Sequence, residues 1–133
     1  SEDNGGSWTE VHAGLTNSNV KALAINSSGH IFAGTEGGGV FRSEDNGDSW
    51  IAVNAGLTNH NVWALAINAS GHIFAGTAFF GTVFRSEDNG DSWTEINSGL
   101  TTANIRALAI NASGYIFAGT DSAGVYRSVE SIY

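Results

Sequence analysis

An all-β chain of repeated four-stranded units, arranged as β-propeller blades, is predicted by three observations. A 42- to 43-residue block recurs along the sequence, apolar residues alternate with period two inside each block, and 18 Gly with no Pro leave the turns to Gly, Asn, Asp and Ser. Ser1–Arg42, Ser43–Arg85 and Ser86–Arg127 align over their whole lengths of 42, 43 and 42 residues, and residues 128–133 begin a partial further copy, so 1–133 reads as a single domain. Each unit runs S-E-D-N-G-x-S-W, a polar strand, G-L-T, A-L-A-I-N-x-S-G, I-F-A-G-T and V-[FY]-R. Units this alike point to recent duplication or to design.

The first unit shows the elements in order. Val20–Asn26 alternates as a half-buried strand does, a Ser-Ser-Gly turn follows, and His30–Thr35 resumes the pattern. A Gly-rich turn leads to Gly39–Ser43, the SEDNGD turn follows, and Ser49–Asn54 is the fourth strand. With no 10-residue helical pattern, these strands form an antiparallel meander whose period fits a blade. A solenoid is the alternative, and it would expect parallel strands or helices in each unit.

SEDNGGSW at Ser1–Trp8 and SEDNGDSW at Ser43–Trp50 and Ser86–Trp93 occupy the turn between third and fourth strands. Ser1, Ser43 and Ser86 with Asp3, Asp45 and Asp88 can fold their oxygens onto backbone N–H groups, and Gly5, Gly47 and Gly90 supply positive φ. Trp8, Trp50 and Trp93 then lay their rings on the neighbouring sheet. The S-x-D-x-G-x-x-W motif, three times at blade spacing, resembles the Asp-box, or BNR repeat, of sialidases and many bacterial propellers. That resemblance implies a propeller in which the box is a folding element remote from catalysis. Read as a calcium loop, the motif lacks the D-x-[DN]-x-[DN]-G ladder and the distant Glu.

Composition narrows the partners. Five Lys plus Arg against 13 Asp plus Glu give a net charge of −8, which repels a phosphate backbone and argues against nucleic acid. Without Cys there is no disulfide and no thiolate metal site, and no cofactor or metal is implied. No signal peptide or 18-residue apolar run is present, so no membrane partner is expected. A first residue of Ser, not Met, fits a processed product, an excised fragment or an engineered protein.

Propellers close with four to eight blades, and three blades make about half of a six-bladed ring. The sequence starts on a box and a fourth strand and finishes on a third strand followed by Val129-Glu130 in place of Glu-Asp, which divides one blade between the ends. The expectation is a homodimer in which the N-terminal strand of one copy completes the last blade of another and six blades close. A nine-bladed trimer or a compact monomer are the alternatives.

The boxes and N-x-S-G turns share one face, and most differences between units gather on the other. There Glu36-Gly37-Gly38 faces Ala78-Phe79-Phe80 and Asp121-Ser122-Ala123 at equivalent places, as Ser18 does His60 and Ala103. Lys21, Trp63 and Arg106 differ at the start of the innermost strand, near the channel. A small polar ligand or sugar at that mouth would stack on Trp63, meet Lys21 and Arg106 with acidic or hydroxyl groups, and use the amides of Asn19, Asn61 and Asn104. Drift in exposed loops gives the same pattern. Phe79 and Phe80 read as packing against the next blade or the dimer seam, and His30 and His72, replaced by Tyr115 in the third unit, as amphipathic surface filler.

A sialidase-like site needs clustered arginines, a Tyr nucleophile and an acid Asp. Arg42, Arg85 and Arg127 instead precede each box, on the face away from Arg106. Glu36 and Asp121 are the remaining carboxylate pair for a hydrolase. Asn26, Asn68 and Asn111 stand in N-x-S sequons that also read as Asn-initiated turns. The expected function is a non-enzymatic self-assembling scaffold with a binding rim; a lectin-like module and a hydrolase remnant are the alternatives.

Overall fold

The computed structural model describes residues 1–96 and 104–129. The third Gly-Leu-Thr, Ala103 and Glu130 lie outside the described residues. Eleven strands and no helix appear among them. The first sheet is β1 (Val20–Ile25), β2 (Ile31–Thr35), β3 (Gly39–Ser43) and β4 (Ile51–Ala52). The second is β5 (Val62–Ile67), β6 (Ile73–Thr77), β7 (Val83–Ser86) and β8 (Thr94–Glu95), and the third β9 (Ile105–Ile110), β10 (Ile116–Thr120) and β11 (Val125–Arg127). Strands pair in chain order and antiparallel throughout, so each sheet is a meander, and the fourth strand of the first and second comes from the start of the following repeat.

The fourth strands are shorter than the alternation in Ser49–Asn54 predicts, two residues each. The turns at either end take their backbone groups elsewhere. Asn54 accepts the Val40 N–H at 2.8 Å and donates to the Gly38 carbonyl at 3.0 Å, so a side chain replaces the next rung. Trp50 N–H reaches back to the Ala13 carbonyl at 2.9 Å, outside its own sheet.

Apolar side chains fill the layers between sheets. Phe32, Val40, Val53, Val62, Ile73 and Phe84 form the layer between first and second sheets; Phe74, Val83, Ile105 and Ile116 form that between second and third. The Gly of I-F-A-G-T is demanded by this approach. A Cβ on Gly34 would sit 2.7 Å from Val62 Cγ1, and one on Gly76 would collide with Ile105 Cγ2, whereas at Gly119 the nearest atom is Ala107 Cβ at 3.7 Å.

The SEDNG turn is held as its letters predict. Ser43 Oγ accepts the Gly47 N–H at 2.8 Å, Asp45 accepts the Ser49 N–H at 2.8 Å, and Gly47 sits at φ +92. Asn4, Asn46 and Asn89 also take positive φ, at +55, +62 and +62, a conformation Asn tolerates better than most side chains. Trp50 Nε1 donates to the Val11 carbonyl at 2.9 Å and Trp93 Nε1 to the Val53 carbonyl at 2.8 Å, which lays each ring on the preceding repeat. His30 and His72 are mostly buried at this face, with side chains 24% and 21% exposed, which corrects their reading as surface filler. His30 Nδ1 lies 3.0 Å from Asn89 Nδ2 in the turn after β7, a contact between the first and second sheets that period-two alternation does not reveal.

Hydrogen bonds in the turn favour the ionised Asp. The Ser1 hydroxyl, then Ser7, lowers Asp3 from 3.8 to about 2; the Ser49 and Ser92 hydroxyls foremost push Asp45 and Asp88 down too. A folded-state value below the unfolded one contributes stability that is complete above the ordinary carboxylate range and disappears as pH falls through the folded value. Thermal unfolding of the wild type is therefore expected to lose stability between pH 3.8 and about 2, with a shallower slope in Asp88→Asn. Gly76→Ala is expected to cost about 1–3 kcal/mol in urea denaturation through overpacking against Ile105.

Candidate functional site

The first strand of every repeat carries a β-bulge, and the bulged residue is the one that differs. Pairing slips between Val20 and Ala22, between Val62 and Ala64, and between Ile105 and Ala107, leaving Lys21, Trp63 and Arg106 without an opposite residue. A bulge re-aims its side chain, and these three converge. Arg106 Cζ stands 4.2 Å from the Trp63 ring centroid and Lys21 Nζ 5.8 Å from it. Glu36 completes the group, accepting from Trp63 Nε1 at 3.1 Å and from Asn19 Nδ2 at 3.2 Å. One indole thus joins residues from three sheets, and Arg106 covers ring area on which a ligand would stack.

The remaining rim residues have separate partners. Asn104 accepts the Phe79 N–H at 2.7 Å and donates to Asp121 at 2.8 Å, so Asp121 and Glu36 belong to different hydrogen-bond groups. Asn61 donates its backbone N–H to Asn59 Oδ1 at 2.9 Å and forms a β-bridge with Glu36. Phe79 packs edge-on against Trp63, ring centroids 5.4 Å apart, within its own repeat and not against the next blade. Phe80 is 80% exposed with φ +92, and Phe79 has φ +57. Non-Gly residues held there cost about 1–3 kcal/mol each. A groove of about 400 Å³ lies beside this hairpin, walled by Asn59, His60, Phe79, Phe80 and Glu95 among others.

Asn17 and Asn59 were not legible as rim residues. Their amides donate to the Glu36 and Ala78 carbonyls, both at 2.9 Å, and so fix the hairpins; their recurrence before Asn19 and Asn61 was the available signal. Asn26, Asn68 and Asn111 each accept two backbone N–H groups of the turn that follows, which accounts for their recurrence.

The outer sides of the first and third sheets expose what the inner repeats bury. Val40 and Val83 are 0% and 3% exposed, but Val125 at the same position is 73%. Trp50 and Trp93 are 8% and 5% exposed, but Trp8 is 80%. Val62 and Ile105 are fully buried, whereas Val20 is 38% exposed and Leu23 beside it 65%. β11 is the edge of its sheet, and the segment after Trp8 forms no strand.

No family model and no curated protein matches the sequence. Solved structures do. The chain is similar to an ancestral GH74 enzyme, with TM-score 0.76 and 24% identity over 94% of this chain and 19% of that one. It is also similar to the extracellular domain of a putative one-component system from B. thetaiotaomicron, with TM-score 0.72 and 19% identity over 92% of this chain and 16% of that one. A third similar structure is YCF48 bound to a D1 peptide, with TM-score 0.63 and 18% identity over 96% of this chain and 41% of that one. The chain thus spans less than half the length of each, and the shared feature is the fold: all-β, in β-propeller blades.

Proposed function

We propose that this chain is an Asp-box β-propeller segment whose function is assembly, two copies closing a six-bladed, non-enzymatic ring with a variable rim. The observation that carries this reading is the contrast between repeats: Val125, Trp8 and Val20 are exposed at positions whose counterparts are buried. Water is the costliest place for these groups, since burying a large apolar side chain stabilises by about 1.5–3 kcal/mol. A two-fold pair brings each exposed side of one copy to the other side of its partner, twice, and leaves no sheet edge over. For a non-enzymatic role, Arg42 serves the Asn89–Asp91 turn of the second sheet, Arg106 lies on Trp63, and Glu36 and Asp121 sit in separate groups.

Sedimentation equilibrium is expected to give twice the 13.8 kDa chain mass at micromolar concentration. Trp8→Ala is expected to weaken the pair at least about 100-fold, from the 3–5 kcal/mol that a buried Trp truncation costs. A stable 13.8 kDa wild type sinks the reading.

A lectin-like reading draws on a different observation, the three bulges that turn Lys21, Trp63 and Arg106 to one mouth beside a strained aromatic hairpin. Aromatic faces with amides and cations suit polar, acidic sugars. On a glycan array this reading expects binding that Trp63→Ala abolishes while the solution mass is unchanged; an array without signal removes it.

A further inference from the structure

The hairpin between β6 and β7 is one residue longer than its counterparts. Five residues, 78–82, join Thr77 to Val83, where four join Thr35 to Val40 and four join Thr120 to Val125. The first and third hairpins put Gly at positive φ, Gly37 and Gly39 in one and Gly124 in the other; this one puts Phe79 and Phe80 there, at +57 and +92. Among the described residues, every other side chain at positive φ is an Asn. Asn accepts that region far more readily than Phe does.

Hydrogen bonds from both sides fix the strained backbone. Thr77 Oγ1 donates to the Thr82 carbonyl and accepts the Thr82 N–H, both at 3.1 Å, while Thr82 Oγ1 donates to the Phe80 carbonyl at 3.2 Å. From outside the hairpin, Asn59 Nδ2 donates to the Ala78 carbonyl at 2.9 Å and Asn104 Oδ1 accepts the Phe79 N–H at 2.7 Å. The outcome is a fixed backbone that carries a ring in water, since Phe80 is 80% exposed. Strain persists where its surroundings over-determine it, and it gathers at ligand sites.

The groove beside the ring, about 400 Å³, is of a size that takes one small ligand, ligand sites running from about 300 to about 1,000 Å³. Buried Phe84 lines it, with Glu95 opposite across the β7–β8 pairing. His60 and Asn61 line it too. Among the described residues, the His60 ring, the Asn61 amide and the Glu95 carboxylate have no hydrogen-bond or ion-pair partner.

We infer that this groove binds a neutral sugar ring, at a site separate from the mouth at Trp63 and independent of the two-copy ring. The apolar C–H face of the sugar stacks on Phe80, and its hydroxyls donate to Glu95 and exchange hydrogen bonds with the Asn61 amide. Hydroxyls donate and accept, which suits an acceptor-only carboxylate beside a two-way amide. An acidic sugar is repelled, because Glu95 lines the groove, no Lys or Arg does so among the described residues, and the chain carries a net −8. An ammonium ligand would satisfy Phe80 and Glu95 and leave Asn61 unserved. The platform is in place before the ligand arrives, so binding orders little backbone. The second sheet is already flanked on both sides, so the outer faces through which two copies would close belong to other sheets.

Titration calorimetry of the full chain with methyl glucoside, methyl galactoside and methyl mannoside tests this, with glucuronate and glucosamine as charged controls. At least one neutral hexoside is expected to bind, and glucuronate at least about 10-fold more weakly. Phe80→Gly is expected to weaken hexoside binding about 10-fold or more while raising the urea midpoint, because it removes the platform and relieves the strain together. A ring that served packing would instead lose stability on removal. Glu95→Gln is expected to bring glucuronate within about 3-fold of the hexoside. The inference is overturned if no neutral hexoside binds, if glucosamine alone binds, if Phe80→Gly lowers the midpoint or leaves binding intact, or if Glu95→Gln still excludes glucuronate. Binding that Trp63→Ala abolishes and Phe80→Gly leaves intact belongs to the mouth, which overturns the groove and leaves the lectin-like reading standing.

Discussion

Trp50 and Trp93, which end the second and third SEDNG turns, each lie on the fourth segment of the repeat before and give the indole N–H to a carbonyl there. Trp93 on Val53 and Trp50 on Val11 are the two completed cases. This single dependence makes the repeats inseparable. A sheet supplies the ring that covers its predecessor and requires one from its successor, so no repeat buries its apolar face alone. The glycines of I-F-A-G-T follow from it, because rings and β-branched residues of one sheet can pack down only where the facing strand lacks a Cβ. So do the exposed Trp8 and Val125, the two ends of the same unfinished contact.

Most of the architecture was legible in the letters because a repeat makes three statements of each local rule. A-L-A-I-N and I-F-A-G-T specify antiparallel strands through alternation, and N-x-S-G specifies their turn through Asn26, Asn68 and Asn111, which accept two backbone N–H groups each. The polar fourth strand was less legible. Asn54 reads as a strand residue, yet its amide substitutes for a ladder rung and ends β4 at Ala52, a tertiary bond that no local pattern encodes. His30 was misread for a related reason. Its Tyr115 counterpart suggested a surface, but its partner, Asn89, lies 59 residues away on another sheet.

The rim was legible as a location and not as an arrangement. Comparing units singled out Lys21, Trp63 and Arg106; the bulge beneath each, which turns them toward one another, comes from a slip in pairing that period two does not announce. The expected open stacking face on Trp63 is instead shared with Arg106 and Phe79. Cation–π contacts of this kind contribute about 0.5–1 kcal/mol at exposed sites, little enough for a ligand to displace the guanidinium. The rim and the turn face thus divide the labour of the repeat. One side holds neighbouring sheets together through residues that mostly recur, and the other gathers most of the differences between units.

Backbone hydrogen exchange followed across a dilution series bears most directly on the claim that each sheet is finished by a segment from the next unit. The account predicts that Trp8–Val11 and Val125–Arg127 become protected together as concentration rises and lose protection together on dilution, while β6 and β7 stay protected throughout. Protection of both segments that persists unchanged at every dilution, showing closure within one chain, would contradict it, as would two segments that never become protected.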